Sequence, residues 1–205
     1  ELFALGAQPE VESRLVVGGA DGAREWQMHR GPFKRRDFPK FSERDWTLLV
    51  QGVDLHDERV SQLMQQFRFI PDARLDDVMI SYASDGGGVG PHFDSYDVFL
   101  LQAQGRRRWR IGRTDDLELQ PGLPLKILRK FKPEAEFVLE PGDMLYLPPR
   151  YAHDGIAEGE CQTWSIGFRS ASRTEWAREI LPRLVDHLPE DPALYADAGQ
   201  DSPAR

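Results

Sequence analysis

The chain of 205 residues suits one domain with a small appendage, and its 40% hydrophobic and 10% aromatic content is ample for a core. Its 34 acidic against 26 basic residues leave a formal charge of -8, which argues against nonspecific nucleic-acid binding and means that no direct nucleic-acid partner is required. The single cysteine, Cys161, excludes an internal disulfide and a Cys-rich zinc site and fits a reducing cytoplasm, and no apolar run is long enough to cross a membrane.

The sequence opens on Glu1 in mid-pattern, so flanking segments are expected beyond it. VESRLVV, residues 11–17, is predicted as a strand, with a glycine turn over 18–22 and a loop-rich stretch to about Arg44. WTLLVQGVDL, from Trp46, reads as a buried strand; Val60, Leu63, Met64 and Phe67 then recur at helical spacing until Pro71. The runs DDVMISYA, YDVFLLQAQ, RRRWRIG, EFVLEPGDMLYLPP and CQTWSIGFR follow, separated by glycine and proline. Short strands at close spacing without intervening helices predict a mainly β fold, an antiparallel sandwich or small barrel with peripheral helices. Near the end, Ser172 and Glu175 have the spacing of a capping box. Trp176, Ile180, Leu184 and Leu188 trace an apolar stripe interrupted at Pro182, as in a kinked or paired helix that packs on its own domain or serves a dimer contact. The tail from Glu190 is rich in Asp, Ala, Gly and Pro and is expected to be loosely ordered.

Chemistry concentrates in two segments. In GGGVGPHFDSYDVFL, residues 86–100, His92 and Asp94 are one residue apart, which places both on one side of a strand. GDMLYLPPRYAHDG, residues 142–155, supplies His153 after a strand and a Pro-Pro turn. Two histidines and one carboxylate make a facial triad that leaves coordination positions open for an anionic cosubstrate and O2, the pattern of nonheme iron(II) oxygenases. A His-x-Asp pair alone is weak evidence, since histidines beside surface acids are common; the second element carries the reading. Asp97 and Asp154 rank below Asp94 as ligands because neither pairs with His92 across a single residue, and His29, His56 and His187 read as surface residues.

Between the two segments lies GRRRWRIG, with four arginines. As a strand it puts Arg107, Trp109 and Ile111 on one face and Arg106, Arg108 and Arg110 on the other. An arginine on the apolar face must find an anion, and the planar guanidinium suits the distal carboxylate of 2-oxoglutarate. The alternatives are a structural acid paired with Arg107, or a basic surface strip.

The segments WTLLVQGVD, FRFIPDARLDDVMISYA, GGGVGPHFDSYDVFLLQAQGRRRWRIG and PGDMLYLPPRYAHDGIA together resemble the bacterial ribosomal oxygenases of the JmjC and cupin type, arginine hydroxylases that act on a large-subunit ribosomal protein. The resemblance runs from about Trp46 to Arg169. It implies a double-stranded β-helix (jelly roll) with His92, Asp94 and His153 on Fe(II), Arg107 on 2-oxoglutarate, O2 as oxidant and 3-hydroxyarginine as product. It further implies a catalytic domain over 1–170 and the start of a helical dimerisation region over 171–205, with the full dimerisation region and the C-terminal winged-helix domain of the family expected to be absent from this chain, and a cytoplasmic homodimer in the full-length form. An arginine substrate needs an acidic partner, for which Asp85 is a candidate against the alternative of a turn-forming aspartate. Ser165, on TWSIGF, is a second candidate for facing the substrate. The rival readings are the same chemistry on a ribosomal-protein histidine or a methylated lysine, and a noncatalytic cupin binding module.

Overall fold

A computed structural model of the protein describes residues 1–18, 25–169 and 172–188. The chain divides into two compact units, Glu1–Ser170 and Ala171–Arg205.

The first unit is one antiparallel sheet in the order β2 (Gln27–Arg30), β1 (Ser13–Val17), β3 (Trp46–Val50), β4 (Leu75–Ala83), β8 (Tyr151–Phe168), β5 (Asp97–Arg113) and β6 (Ala135–Leu139), with β7 (Met144–Leu147) also on β5. After a single helical turn, α1 (Leu2–Leu5), β1 (Ser13–Val17) lies between β2 (Gln27–Arg30) and β3 (Trp46–Val50). Every residue of β3, WTLLV, is buried, as its unbroken apolar run requires of a strand covered on both faces. α2 (Glu58–Gln65) starts where the Asp57 side chain accepts the Arg59 N–H at 2.9 Å. Its Val60, with Leu63, Met64 and then Phe67, packs against Trp46, Leu48, Val50 and β4 (Leu75–Ala83), so the helical periodicity marks a core-facing stripe.

Two long strands organise the rest. β5 (Asp97–Arg113) and β8 (Tyr151–Phe168) pair from Asp97↔Phe168 to Arg113↔Tyr151. The runs YDVFLLQAQ and RRRWRIG are therefore one strand, bent where the register shifts between Gln102 and Arg106 and where Gly105 has a φ of 64°. β6 (Ala135–Leu139) pairs with the second half of β5 and β7 (Met144–Leu147) with the first, so each long strand serves both halves of a double-stranded β-helix. This is the mainly β architecture expected. Val98, Leu100, Trp109, Leu139 and Leu147 form a second apolar cluster between the halves.

β2 falls in the stretch read as loop. QMHR is short, polar and on the sheet edge, with little burial, so no alternation announced it.

In the second unit, α3 (Arg173–Asp186) opens on the expected capping box: Ser172 Oγ accepts the Glu175 N–H at 3.2 Å, and the Glu175 carboxylate accepts the Ser172 N–H at 2.6 Å. The helix runs through Pro182, and Trp176, Ile180, Leu184 and Leu188 are exposed. Residues 19–22 of the glycine turn and the tail from Glu190 lie outside the described residues.

One glycine controls how closely the two halves approach. A Cβ on Gly88 would stand 2.6 Å from the Gly155 carbonyl oxygen, a contact between backbones that no rotamer relieves. Gly88→Ala is expected to destabilise the fold by about 1–3 kcal/mol, read as a lower midpoint in chemical unfolding. An unchanged midpoint would contradict this close approach.

Candidate active site

The two halves meet at a pair of backbone hydrogen bonds. The His92 N–H donates to the His153 carbonyl at 2.9 Å and the His153 N–H donates to the His92 carbonyl at 2.8 Å, an isolated antiparallel bridge. Residues directly opposite across such a bridge have adjacent side chains, and the two imidazole centroids are 4.2 Å apart. His92 sits on this bridge and Asp94 in the segment leading to β5, so neither lies in a regular strand; His153 belongs to the start of β8. Gly90, with a φ of 77°, turns the chain into the bridge.

Both rings are held by their other nitrogen. His92 Nδ1–H donates to the Gly90 carbonyl at 2.9 Å, and His153 Nδ1–H donates to the Tyr151 carbonyl at 3.0 Å. That tautomer leaves both Nε2 lone pairs free, as in metal-binding histidines oriented by a backbone acceptor. The Arg150 N–H donates to the Asp94 carbonyl at 2.7 Å, tying the Asp94 segment to the turn before β8. The Asp94 carboxylate is 3.6 Å from His153 Nε2, and one ligand atom from each of His92, Asp94 and His153 lies within 4.8 Å of the others. Burial, then the neighbouring His92, pushes His153 down to about 3, so its imidazole is neutral near pH 7.

These residues line a cavity of about 630 Å³ that also contains Arg107. The Arg107 residue is 4% exposed; its Nη1 donates to Ser81 Oγ and to Thr163 Oγ1, each at 3.2 Å, and its Nε is buried without a partner. Thr163 Oγ1 is in turn fixed by donating to Gln102 Oε1 at 3.0 Å. The guanidinium carbon is 5.5 Å from the Trp109 ring centroid. Among the described residues Arg107 has no carboxylate partner, so the alternative of a structural ion pair is not what this side chain makes. The other face of the same strand differs. Arg106 pairs with Glu140 and Glu158, Arg108 with Glu158 and Glu136, and Arg110 with the buried Asp154.

Ser165 lines the cavity as anticipated from strand alternation. Asp85 does not: its Oδ1 accepts the Gly159 N–H at 2.8 Å and its Oδ2 pairs with Arg44 at 2.9 Å, so the carboxylate fastens a loop. Nearness in sequence to His92 did not mean pointing the same way. Asp97 is occupied by Arg74 and the Tyr146 hydroxyl, Asp154 by Arg110, and His29, His56 and His187 are exposed.

Sequence reasoning missed Asp77, Met79 and Tyr96. On β4 the period of two puts Asp77 and Met79 on the same face as Ser81, the hydroxyl that holds Arg107, and all three line the cavity. Among the described lining residues, Asp77 and Asp94 are the two carboxylates. Burial raises Asp77 above the usual carboxylate range, and the Gly52 N–H, donating at 2.8 Å, opposes that shift. The Tyr96 hydroxyl is pushed well up by burial and then by the Asp94 and Asp77 carboxylates.

Two imidazole Nε2 atoms and a carboxylate on one side, with the cavity on the other, fit a divalent metal that keeps exchangeable positions, and the unpartnered Arg107 Nε fits an anion beside it. A jelly roll with such a centre defines a class of metal-dependent oxygenase folds. The JmjC domain matches residues 62–176, and the chain belongs to that family. It is 42% identical over 191 residues to the ribosomal protein uL16 3-hydroxylase of Escherichia coli, covering 92% of this chain and 48% of that protein. It is 39% identical over 175 residues to a probable ribosomal oxygenase of Haemophilus influenzae, covering 82% and 42%. The structure of YcfD, a ribosomal oxygenase from Escherichia coli, in complex with cobalt and 2-oxoglutarate superposes with a TM-score of 0.76 at 38% identity, over 99% of this chain and 54% of that one. The chain thus spans about half the length of the curated relatives it matches.

Removing a donor from the triad tests the geometry without any assumption about substrate. His153→Ala is expected to weaken manganese(II) binding, followed by titration calorimetry, by more than the roughly 10–100-fold typical of losing an outer-shell partner. Affinity equal to that of the unaltered protein would rule out His153 as a ligand.

Proposed function

We propose that the protein is an Fe(II)- and 2-oxoglutarate-dependent dioxygenase of the cytoplasm that hydroxylates C3 of an arginine side chain in a large-subunit ribosomal protein. The observation that carries the reading is the convergence, in one cavity, of a His-Asp-His donor set with a buried arginine that has no acidic partner. A noncatalytic scaffold has no physical need for either. The names and bound cosubstrate of the similar proteins support the same chemistry.

In this reading His92, Asp94 and His153 hold iron, and Arg107 receives the distal carboxylate of 2-oxoglutarate. Ser81 and Thr163 occupy Arg107 Nη1 and leave the rest of its fork for the anion. The bound iron, cosubstrate and O2 supply the oxidative chemistry, in which 2-oxoglutarate becomes succinate and carbon dioxide and one oxygen atom enters the target C–H bond. The protein positions that bond. Asp77, a half-buried carboxylate with no ion pair among the described residues, receives the target guanidinium in place of Asp85. Met79 and Tyr96 flank its hydrocarbon stem, and Ser165 offers a hydroxyl to the same space. A cation-seeking carboxylate favours arginine over a neutral histidine.

Residues 1–170 form the catalytic domain, and 171–205 begin the helical dimerisation region of a longer homodimer. The exposed apolar stripe Trp176, Ile180, Leu184 and Leu188 supports that assignment. Among the described residues, no helix is long and apolar enough to cross a membrane.

The test is incubation with Fe(II), ascorbate, 2-oxoglutarate and bacterial large-subunit ribosomal proteins, following succinate and the mass of tryptic peptides. One oxygen added to an arginine, with equivalent succinate, is expected; both vanish in Asp94→Ala. Arg107→Gln should raise the 2-oxoglutarate requirement about 100-fold, corresponding to about 3 kcal/mol of charge-assisted hydrogen bonding. Turnover retained in Asp94→Ala would refute the ligand assignment, and oxygen on another residue type would refute the target.

A further inference from the structure

The outer part of the cavity carries charge that neither the triad nor Arg107 uses. Arg14, Arg30 and Lys126 line it, while the described lining carboxylates are limited to Asp77 and Asp94. Arg14 and Arg30 are direct partners on the β1–β2 ladder, where like charges oppose each other at a cost. Arg14 Nε is buried without a hydrogen-bond partner and makes only a long ion pair, 3.8 Å, with Glu12, whose side chain is largely exposed. Arg30 and Lys126 have no ion pair among the described residues, in contrast to the paired Arg106, Arg108 and Arg110.

The register places these cations in line with the inner arginine. Arg14 is opposite Leu49, and Leu49 is opposite Ser81, the hydroxyl that accepts from Arg107. At the spacing of neighbouring strands, Arg14 stands roughly 10 Å and Arg30 roughly 14 Å from that anchor. Exposure falls along the same line: Arg30 and Lys126 are exposed, Arg14 is half-buried and Arg107 is buried.

We propose that Arg30, Arg14 and Lys126 form a cationic mouth that captures the dicarboxylate 2-oxoglutarate from solvent and passes it inward to Arg107. The inference rests on the dioxygenase reading above. A protein of formal charge -8 repels a dianion at long range, but screening over about 8 Å at physiological salt confines that repulsion. Cations on the walls of a cleft, Arg30 and Lys126 among them without an ion pair in the described residues, then set the local potential that the ligand meets, and such focusing raises association rates. The repulsion between Arg14 and Arg30 across the ladder is relieved each time an anion arrives.

The test is stopped-flow measurement of 2-oxoglutarate binding to the manganese(II)-loaded protein, with tryptophan fluorescence as the signal. Arg30→Gln is expected to lower the association rate about threefold, and Arg14→Gln with Arg30→Gln about tenfold, with an unchanged dissociation rate and convergence with the parent protein at high salt. Arg68→Glu, which lowers net charge outside the cavity lining, should leave the association rate within error. Unaltered association in the mouth variants, an equal fall in Arg68→Glu, or a loss confined to the dissociation rate would each overturn the proposal. Failure of the parent protein to bind 2-oxoglutarate would instead defeat the dioxygenase reading, and the capture role with it.

Discussion

The reciprocal backbone hydrogen bonds between His92 and His153 are the constraint on which the site depends. They make two residues 61 positions apart direct neighbours across a bridge, so their rings must share one space. The bridge forms because Gly88 lets one backbone approach the carbonyl of Gly155, and because the long β5–β8 pairing delivers His153 opposite Ile111 at the mouth of the strand pair. Gly90 and Tyr151 then accept the Nδ1 protons and aim both Nε2 atoms alike. The convergence of the two imidazoles is thus a product of main-chain pairing, with Asp94 added two residues beyond the bridge.

A second division is electrostatic. On β5 the alternation of side chains separates four neighbouring arginines into two classes: Arg106, Arg108 and Arg110 meet carboxylates on the outer face, and Arg107 meets hydroxyls on the inner one. Burying a guanidinium without a counter-ion opposes folding. An anion that binds Arg107 would relieve that penalty, so anion binding here would be coupled to stability by mass action. His153 responds to burial in the opposite sense, giving up its proton and keeping a neutral donor where a cation would repel a metal.

The parts of this arrangement that follow a period of two or a short spacing were legible in the sequence. His92, Asp94, Arg107 and Ser165 all reach one cavity, and the α2 stripe and the Ser172 capping box form as their spacings require. Asp77 obeys the same rule on DDVMIS, but no property of that run distinguishes its acid from any other; what does is that β4 turns Ser81, on the same face, toward Arg107. Asp85 misled because a loop position carries no orientation; Arg44 and the Gly159 amide, far off in sequence, decide where its carboxylate points. The edge strand β2 lacks an apolar alternation, and the unity of β5 is hidden by the bend at Gly105. These depend on long-range pairing, which one-dimensional patterns do not encode.

Diffraction from crystals of the protein grown with manganese(II) and 2-oxoglutarate, using anomalous scattering to locate the metal, tests the proposed centre most directly. One strong peak is expected, bonded to His92 Nε2, His153 Nε2 and the Asp94 carboxylate, with the distal carboxylate of 2-oxoglutarate on Arg107. Metal bound elsewhere, or a dicarboxylate that leaves Arg107 without an anion, would contradict it.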